Sequence, residues 1–346
     1  MKISIRNKKK DAEDNSQPAR ITNDTLAEHR EKIISSGRRF KYPLQYAKHK
    51  IVINTILVSI VAVIALALLG WWQIYIVKNS SDVFYRVTQI LPLPVAKVDG
   101  QYASFSDFLL NYRASKFYLS KYDDLNINSA GGKQQLALKE KQALDIAIAD
   151  AYATKIATQH NIKVSDKEIQ EVLDNLRSAT NGQVGEQTSE QSTERVLGMS
   201  AGDLRTTIYN SILRAKAAFA IDSDAKASVE QAQLLLKSTS DFSKVADKMT
   251  RARSGSADAG TSGMVSESTL FSGLDAAEIA KLPVGQVSGP MQSITDDGYF
   301  FVRVVKKTDQ QVSFEFLHIP LHEFDQQIES LKKAGKVDVY IKVANS

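Results

Sequence analysis

Apolar residues fall along this chain in two rhythms, and one stretch has no rhythm at all. Ile51–Val77 (IVINTILVSIVAVIALALLGWWQIYIV) holds no charged residue over 27 positions, flanked by Lys50 and Lys78. As a helix it measures about 40 Å, enough to cross a ~30 Å hydrocarbon core with some tilt. Asn54, Thr55 and Ser59 lie near one end, and Trp71, Trp72 and Tyr75 form an aromatic belt at the other. After a short juxtamembrane stretch, Asn79–Pro94, the segment Val95–Gln101 reads as a strand closing in an Asp-Gly turn. A helix follows, capped by Ser104 or Ser106, with Phe105, Phe108, Leu109 and Tyr112 on one face.

The helical period then dominates. Leu136, Leu144, Ile148, Ala151 and Ile156 predict a long helix from Lys133 to about His160, stopped at Asn161. Ser165–Glu168 forms a capping box for a helix carrying Ile169, Val172, Leu173 and Leu176. The polar run Ser178–Glu194 has loop chemistry. A fourth helix opens at Ser200–Asp203 and carries Leu204, Ile208, Ile212, Leu213 and Ala217. Residues 95–222 thus read as an all-helical module.

From Ser223 the rhythm shortens. Ser223–Lys237 and Ser240–Met249 predict two short helices, Arg251–Gly263 a Gly/Ser-rich loop, and Leu274–Leu282 a small helical stretch. Val284–Pro290, Gly298–Val305 and Val312–Ile319 read as strands, Glu323–Ala334 as a helix and Val337–Val343 as a last strand. Helices over one antiparallel sheet make a small α+β domain spanning 223–346.

Charge adds topology. The first 50 residues hold 13 Lys and Arg against 6 Asp and Glu, a net +7, while the rest hold 31 against 33, a net −2. Arg38, Arg39, Lys41, Lys48 and Lys50 crowd the N-terminal side of the apolar run. The positive-inside rule then makes 1–50 a cytoplasmic arm, 51–77 a transmembrane signal anchor, and the body extracytoplasmic. A cleaved signal peptide is not expected, because the leader and the apolar run are both too long. Lys8–Lys10 and Arg38–Arg39 could touch nucleic acid, but topology and anionic lipid account for them, so no nucleic-acid partner is expected. The chain has no cysteine, which removes disulfides, thiol catalysis and zinc–thiolate sites.

Several stretches carry a family resemblance. VAKVDGQYASFSDF, ALDIAIADAYATKIATQHNIKVSDKEIQEVLDNL and LGMSAGDLRTTIYNSILRAKA resemble the start, central helix pair and closing helix of a SurA-like helical module. EQAQLLLKSTSDFSKVADKMT, LPVGQVSGPM and GYFFVRVV are similar to pieces of a parvulin-type peptidyl-prolyl isomerase domain. Order and spacing resemble the SurA/PrsA/PpiD type of membrane-anchored folding factor over about 95–305. The resemblance implies binding of unfolded or nascent exported polypeptides, prolyl isomerisation or chaperone-like holding, and no cofactor. A prolyl bond needs an apolar grip on the ring and polar groups that favour the twisted amide.

Against that pattern the polar positions are depleted. Phe300 stands where the family's final strand has His, and Met249-Thr250-Arg251-Ala252 replaces a Tyr-Ser-x-Asp-like run. The apolar, substrate-binding pocket is carried over as Met264, Leu270, Phe271 and Leu274, with Phe300 as a further wall. The family's first strand, bearing its other His, is missing where expected; VSFEFLHIPL at 312–321 has its character, with His318 in the His place. This strand either completes the sheet by permutation or begins a truncated second unit. By alternation Val312, Phe314, Phe316 and His318 share one face.

Each candidate has a plainer reading beside it. His318 is a catalytic remnant or a packed rim histidine. The Met264–Leu274 cluster and Phe300 form a proline pocket or ordinary core. His318 and His322 are four apart, but Pro320 between them bars a shared helix face, so no metal is expected. Ser330–Lys333 matches Ser-x-x-Lys by chance on a charged helix end, and no Gly-x-Ser-x-Gly, phosphate loop or HExxH occurs. The leading expectation is a folding factor whose isomerase activity is weak or lost. Rival readings are a competent isomerase using His318 and a dedicated assembly protein.

Overall fold

Most of the unbroken apolar run becomes one long, exposed helix. The computed structural model of the chain describes residues 22–41, 43–123, 126–178, 185–251, 257–295 and 297–343. The chain divides into two units after Trp71. The first holds α1 (Asn23–Lys41) and α2 (Pro43–Trp71). The stretch His49–Ile76 is long and apolar enough to cross a membrane, and its most apolar part is unburied. Lys8–Lys10 lie outside the described residues, as do the side chains of Arg38, Arg39, Lys41 and Lys48.

The second unit starts with a π-helical turn, Trp72–Ile76, whose Ile74 is buried in the body's core. Then comes α3 (Asp82–Ile90), a helix the juxtamembrane pattern did not announce. β1 (Pro94–Val98) and β2 (Gln101–Ser104) form a hairpin about Asp99-Gly100. Both turn residues have left-handed backbone, φ 44° and 93°, as a two-residue hairpin turn requires. α4 (Phe105–Lys121) is capped by Ser104, whose hydroxyl accepts from Ser106 N–H at 3.1 Å.

α5 (Ala130–His160) starts one turn earlier than its apolar spacing suggests, because Ser129 Oγ accepts from Gly132 N–H at 3.0 Å. It ends where expected, at Asn161 with φ 54°. α6 (Asp166–Ser178) has the reciprocal Ser165–Glu168 cap. The polar run expected as loop contains α7 (Glu186–Leu197), closed by Gly198 at φ 65°. None of its residues is buried, so no apolar stripe marks it in the sequence; residues 179–184 lie outside the described residues. α8 (Ala201–Ile221) opens on a full Ser200–Asp203 capping box.

α9 (Ser223–Leu236) and α10 (Phe242–Arg251) follow. The expected Gly/Ser loop is in part a strand, β3 (Asp258–Ser266), leaving 252–256 outside the described residues. β4 (Leu270–Phe271) and β5 (Leu274–Asp275) make a small hairpin before α11 (Ala276–Ala280). The strand expected at Val284–Pro290 is instead one bridge, Val287 to Arg303, with β6 falling at Met291–Gln292. Ser288 Oγ accepts the Val302 N–H at 2.9 Å, where a regular ladder would offer a carbonyl. β7 (Gly298–Lys307), β8 (Gln311–Pro320), α12 (Glu323–Lys333) and β9 (Val337–Val339) complete the chain.

Among the described residues, three antiparallel sheets replace the single one expected: β3-β8-β7-β6, β2-β1-β9 and the β4-β5 hairpin. The N-terminal half is therefore mostly, not wholly, helical. β8 is an inner strand of the four-stranded sheet, so 311–320 complete that sheet and do not begin a separate one. The pleat sends Phe300, Val302, Val304, Val312 and Phe314 to one face, into a small core with Leu274, Ala276 and Ile279. Tyr299, Phe301, Leu317 and Ile319 face the other way, into a core continuous with α4, α5, α9 and α10.

The C-terminal segment returns to the first half. β9 pairs with β1, Val98 opposite Val337, and Phe324 of α12 packs on Tyr152 of α5 with ring centroids 5.5 Å apart. Asp222, 2% exposed, sits at the junction. Its carboxylate accepts from Ala225 N–H at 2.7 Å, capping α9, and from His322 and Glu323 N–H at 2.8 and 3.0 Å, capping α12.

Candidate functional site

Two local devices place His318. The first is the β7–β8 register, which sets it directly opposite Phe300. The rings stack with centroids 4.5 Å apart and planes 19° from parallel. The second is the loop before β7. His318 Nε2 lies 2.8 Å from the Asp297 carbonyl oxygen. A carbonyl only accepts, so Nε2 carries the proton and donates it there. The Asp297 carboxylate stands 3.6 Å from the same nitrogen.

That loop is in turn clamped by the β4–β5 hairpin. Its turn residues, Ser272 and Gly273, both have left-handed backbone, φ 47° and 73°. Ser293 Oγ donates to the Ser272 carbonyl at 2.7 Å and accepts from Thr295 N–H at 3.1 Å, and Ile294 N–H donates to the Gly273 carbonyl at 3.0 Å. A Cβ on Gly273 would stand 2.2 Å from Ser293 Oγ. Gly298 lets the strand begin at φ 135°, where a Cβ would meet the Ile319 carbonyl oxygen at 2.2 Å. No sequence motif announced Ser293 or Asp297; Gly298 was the one signal beside them.

The other candidate residues divide. Phe271, Leu274 and Phe300 share the small core with Phe314 and Phe316, Phe271 setting its ring edge-on to Phe314 at 5.2 Å. Leu274 and Phe300 are buried, and Phe271 is half-buried. Leu270 is half-buried and pairs with Asp275. Met264 is 42% exposed, and its neighbour Val265 packs on the core instead. An irregularity in β3 between Thr261 and Met264 shifts the pleat by that one residue. Met249 is buried in the main core, away from the face that holds His318, Thr250 is exposed, and Ala252 lies outside the described residues.

A cleft of about 620 Å³ lies between the helical half and the sheet-bearing half. Val172 of α6, Ile212 and Phe219 of α8, and Ile294 of the clamped loop give it apolar patches within a mostly polar lining that includes the carboxylates of Glu168, Glu171, Asp174, Asp275 and Glu278. Lys216, ion-paired with Glu168, stands at its edge. The facing residues come from segments some hundred positions apart in the sequence, which periodicity within one helix does not reveal.

The family model of the SurA-like N-terminal domain matches residues 44–218, half of the chain. The chain belongs to the SurA-like family. No curated protein and no solved structure matches it. The SurA-like match takes in α2, the π-helical turn and most of the chain to the end of α8, and ends before the four-stranded sheet. The cleft thus has one wall from the SurA-like domain and one from the part that follows it.

Proposed function

We propose that this protein is a membrane-anchored, extracytoplasmic folding factor that holds unfolded polypeptide segments and does not turn their prolyl bonds. Membership of the SurA-like family supports the holding role, since that domain implies unfolded clients. The basic arm before the apolar helix favours a cytoplasmic N-terminus, with 13 Lys and Arg against 6 Asp and Glu in residues 1–50. The sheet-bearing half is a parvulin-like domain whose first strand is supplied from the C-terminal side by β8; its inner position between β3 and β7 supports that reading.

One observation carries the loss of turnover: the His318–Phe300 pair. Phe300 is 1% exposed where the family resemblance calls for a histidine, and His318 donates its Nε2 proton to a backbone carbonyl. Phe300 offers no polar group to a twisting amide, and the Nε2 proton of His318 is committed to the Asp297 carbonyl. Clients are held by the cleft between α6, α8 and Ile294, at its Val172, Ile212, Phe219 and Ile294 side chains, with Phe271 and Met264 as a second surface and Leu274 and Phe300 beneath it.

The test is aggregation of several unrelated unfolded proteins with the full chain present in bilayer discs. The expected result is suppression of all of them, weakened by Ile294→Asp. Suppression of a single protein would support a dedicated assembly role instead, and suppression of none would refute the holding role.

A further inference from the structure

The helix that follows the membrane-spanning segment has a broad apolar face, and the body covers only part of it. In α3 (DVFYRVTQI) Tyr85 and Thr88 are buried against the body. Successive helical residues are 100° apart, so Val83 and Ile90 fall within about 20° of one another on the opposite side, while Val87 between the two sides is half-buried and packs on the body's core. Val83 is 68% exposed, Ile90 81% and the following Leu91 50%. The polar flank is already engaged: Arg86 and Arg113 pair with Asp82 at 2.8 and 3.1 Å, and Gln89 donates to Asp203 at 3.4 Å.

Chain continuity says what covers the outer side. From Ile76 to Asp82 is six residues, at most about 20 Å even if extended. That connector is held close. Val77 N–H donates to the Trp72 carbonyl at 3.0 Å and Asn79 N–H to that of Gln73 at 2.9 Å. Lys78, at φ 53°, donates from Nζ to the Lys342 carbonyl at 2.8 Å, and Lys116 donates to Ser80 Oγ at 3.2 Å. Ile76 and Val77, just before the connector, are 57% and 45% exposed.

We infer that the outer side of α3, Val83 and Ile90 with Leu91, lies in the lipid interface of the bilayer. It forms a second membrane contact that fixes how the body stands on the surface. Such a stripe seats at the boundary of headgroups and acyl chains. The inference rests on the membrane-anchored reading above.

The chain has no cysteine, so a single thiol label reports one position. Val83→Cys, Ile90→Cys, Val61→Cys within the span and Lys306→Cys on the sheet are spin-labelled in the full chain in lipid nanodiscs. The ratio of accessibility to oxygen over accessibility to a water-soluble nickel chelate is then measured at each. The expected result is a ratio at 83 and 90 several-fold above that at 306 and approaching that at 61. A lipid-like 61 with 83 and 90 matching 306 would overturn this inference and leave the anchor intact. A water-like 61 would overturn both. Protection of 83 and 90 from both reagents, lost at one copy per disc, would assign the stripe to a second copy and overturn the lipid contact.

Discussion

His318 lies flat on Phe300, directly opposed across β7 and β8 with ring centroids 4.5 Å apart. Phe316 closes the next position along β8, its ring 5.9 Å from that of Phe300. In the SurA/PrsA/PpiD resemblance both stacked positions belong to histidines, yet here one is a fully buried hydrocarbon ring. Phe300→His therefore puts a polar imidazole into an apolar core. Thermal and denaturant unfolding should show a loss of about 2–3 kcal/mol, with no gain of prolyl isomerisation. Unchanged stability would mean that Phe300 is not the packing residue described.

The sequence showed the strand carrying His318 and the face it shares with Phe314 and Phe316, because a two-residue period is local information. It also showed the Asp99-Gly100 turn, the Asn161 stop and both Ser-based capping boxes. It did not show that β9 pairs with β1, since Val337 and Val98 are far apart along the chain and nothing nearby specifies the register. α7 and α3 were illegible for different reasons: α7 buries none of its residues, and α3 is only nine residues long, too short for a repeated apolar period. The family resemblance carries Met264 into the pocket, but the irregularity in β3, which hands the core face to Val265, leaves no mark in composition.

Asp222 serves two helix starts at once, so its removal should be costlier than the loss of an ordinary cap. Asp222→Ala leaves three backbone N–H groups without their acceptor. A loss of about 3 kcal/mol is expected, and less for Asp222→Asn, which keeps one oxygen. Hydrogen exchange at His322 and Glu323 should accelerate first. Exchange that accelerates only within α9 would contradict the shared cap.

Gly273 is held at φ 73° with Ser293 Oγ where its Cβ would be. Gly273→Ala should cost at least about 2 kcal/mol through backbone strain and collision. The histidine resonances of His318 should shift as the 293–297 loop moves. A variant with native stability and an unmoved His318 would show that the hairpin does not clamp this loop.

Burial pushes the Asp107 carboxyl up to about 6, with the charge of Asp150 adding to the effect. The folded chain then binds this proton more tightly than the unfolded chain, whose carboxyl titrates near 3.8. Its contribution to stability is full below about pH 4 and is lost as pH rises through about 6. Asp107→Asn should accordingly stabilise the protein by about 2 kcal/mol near pH 7.5 and by almost nothing near pH 4. Urea titrations at the two pH values check it, and an equal effect at both would contradict the buried-carboxyl account.

The central claim is grip without turnover, and exchange spectroscopy tests it most directly. Spontaneous prolyl isomerisation takes tens to hundreds of seconds, so any real catalysis is visible as exchange between cis and trans resonances of an Xaa–Pro peptide. With the full chain in bilayer discs, the account predicts peptide resonances shifted by binding while the exchange rate stays at its spontaneous value. Exchange accelerated well above that value, and abolished by His318→Ala, would contradict it and make this protein an isomerase.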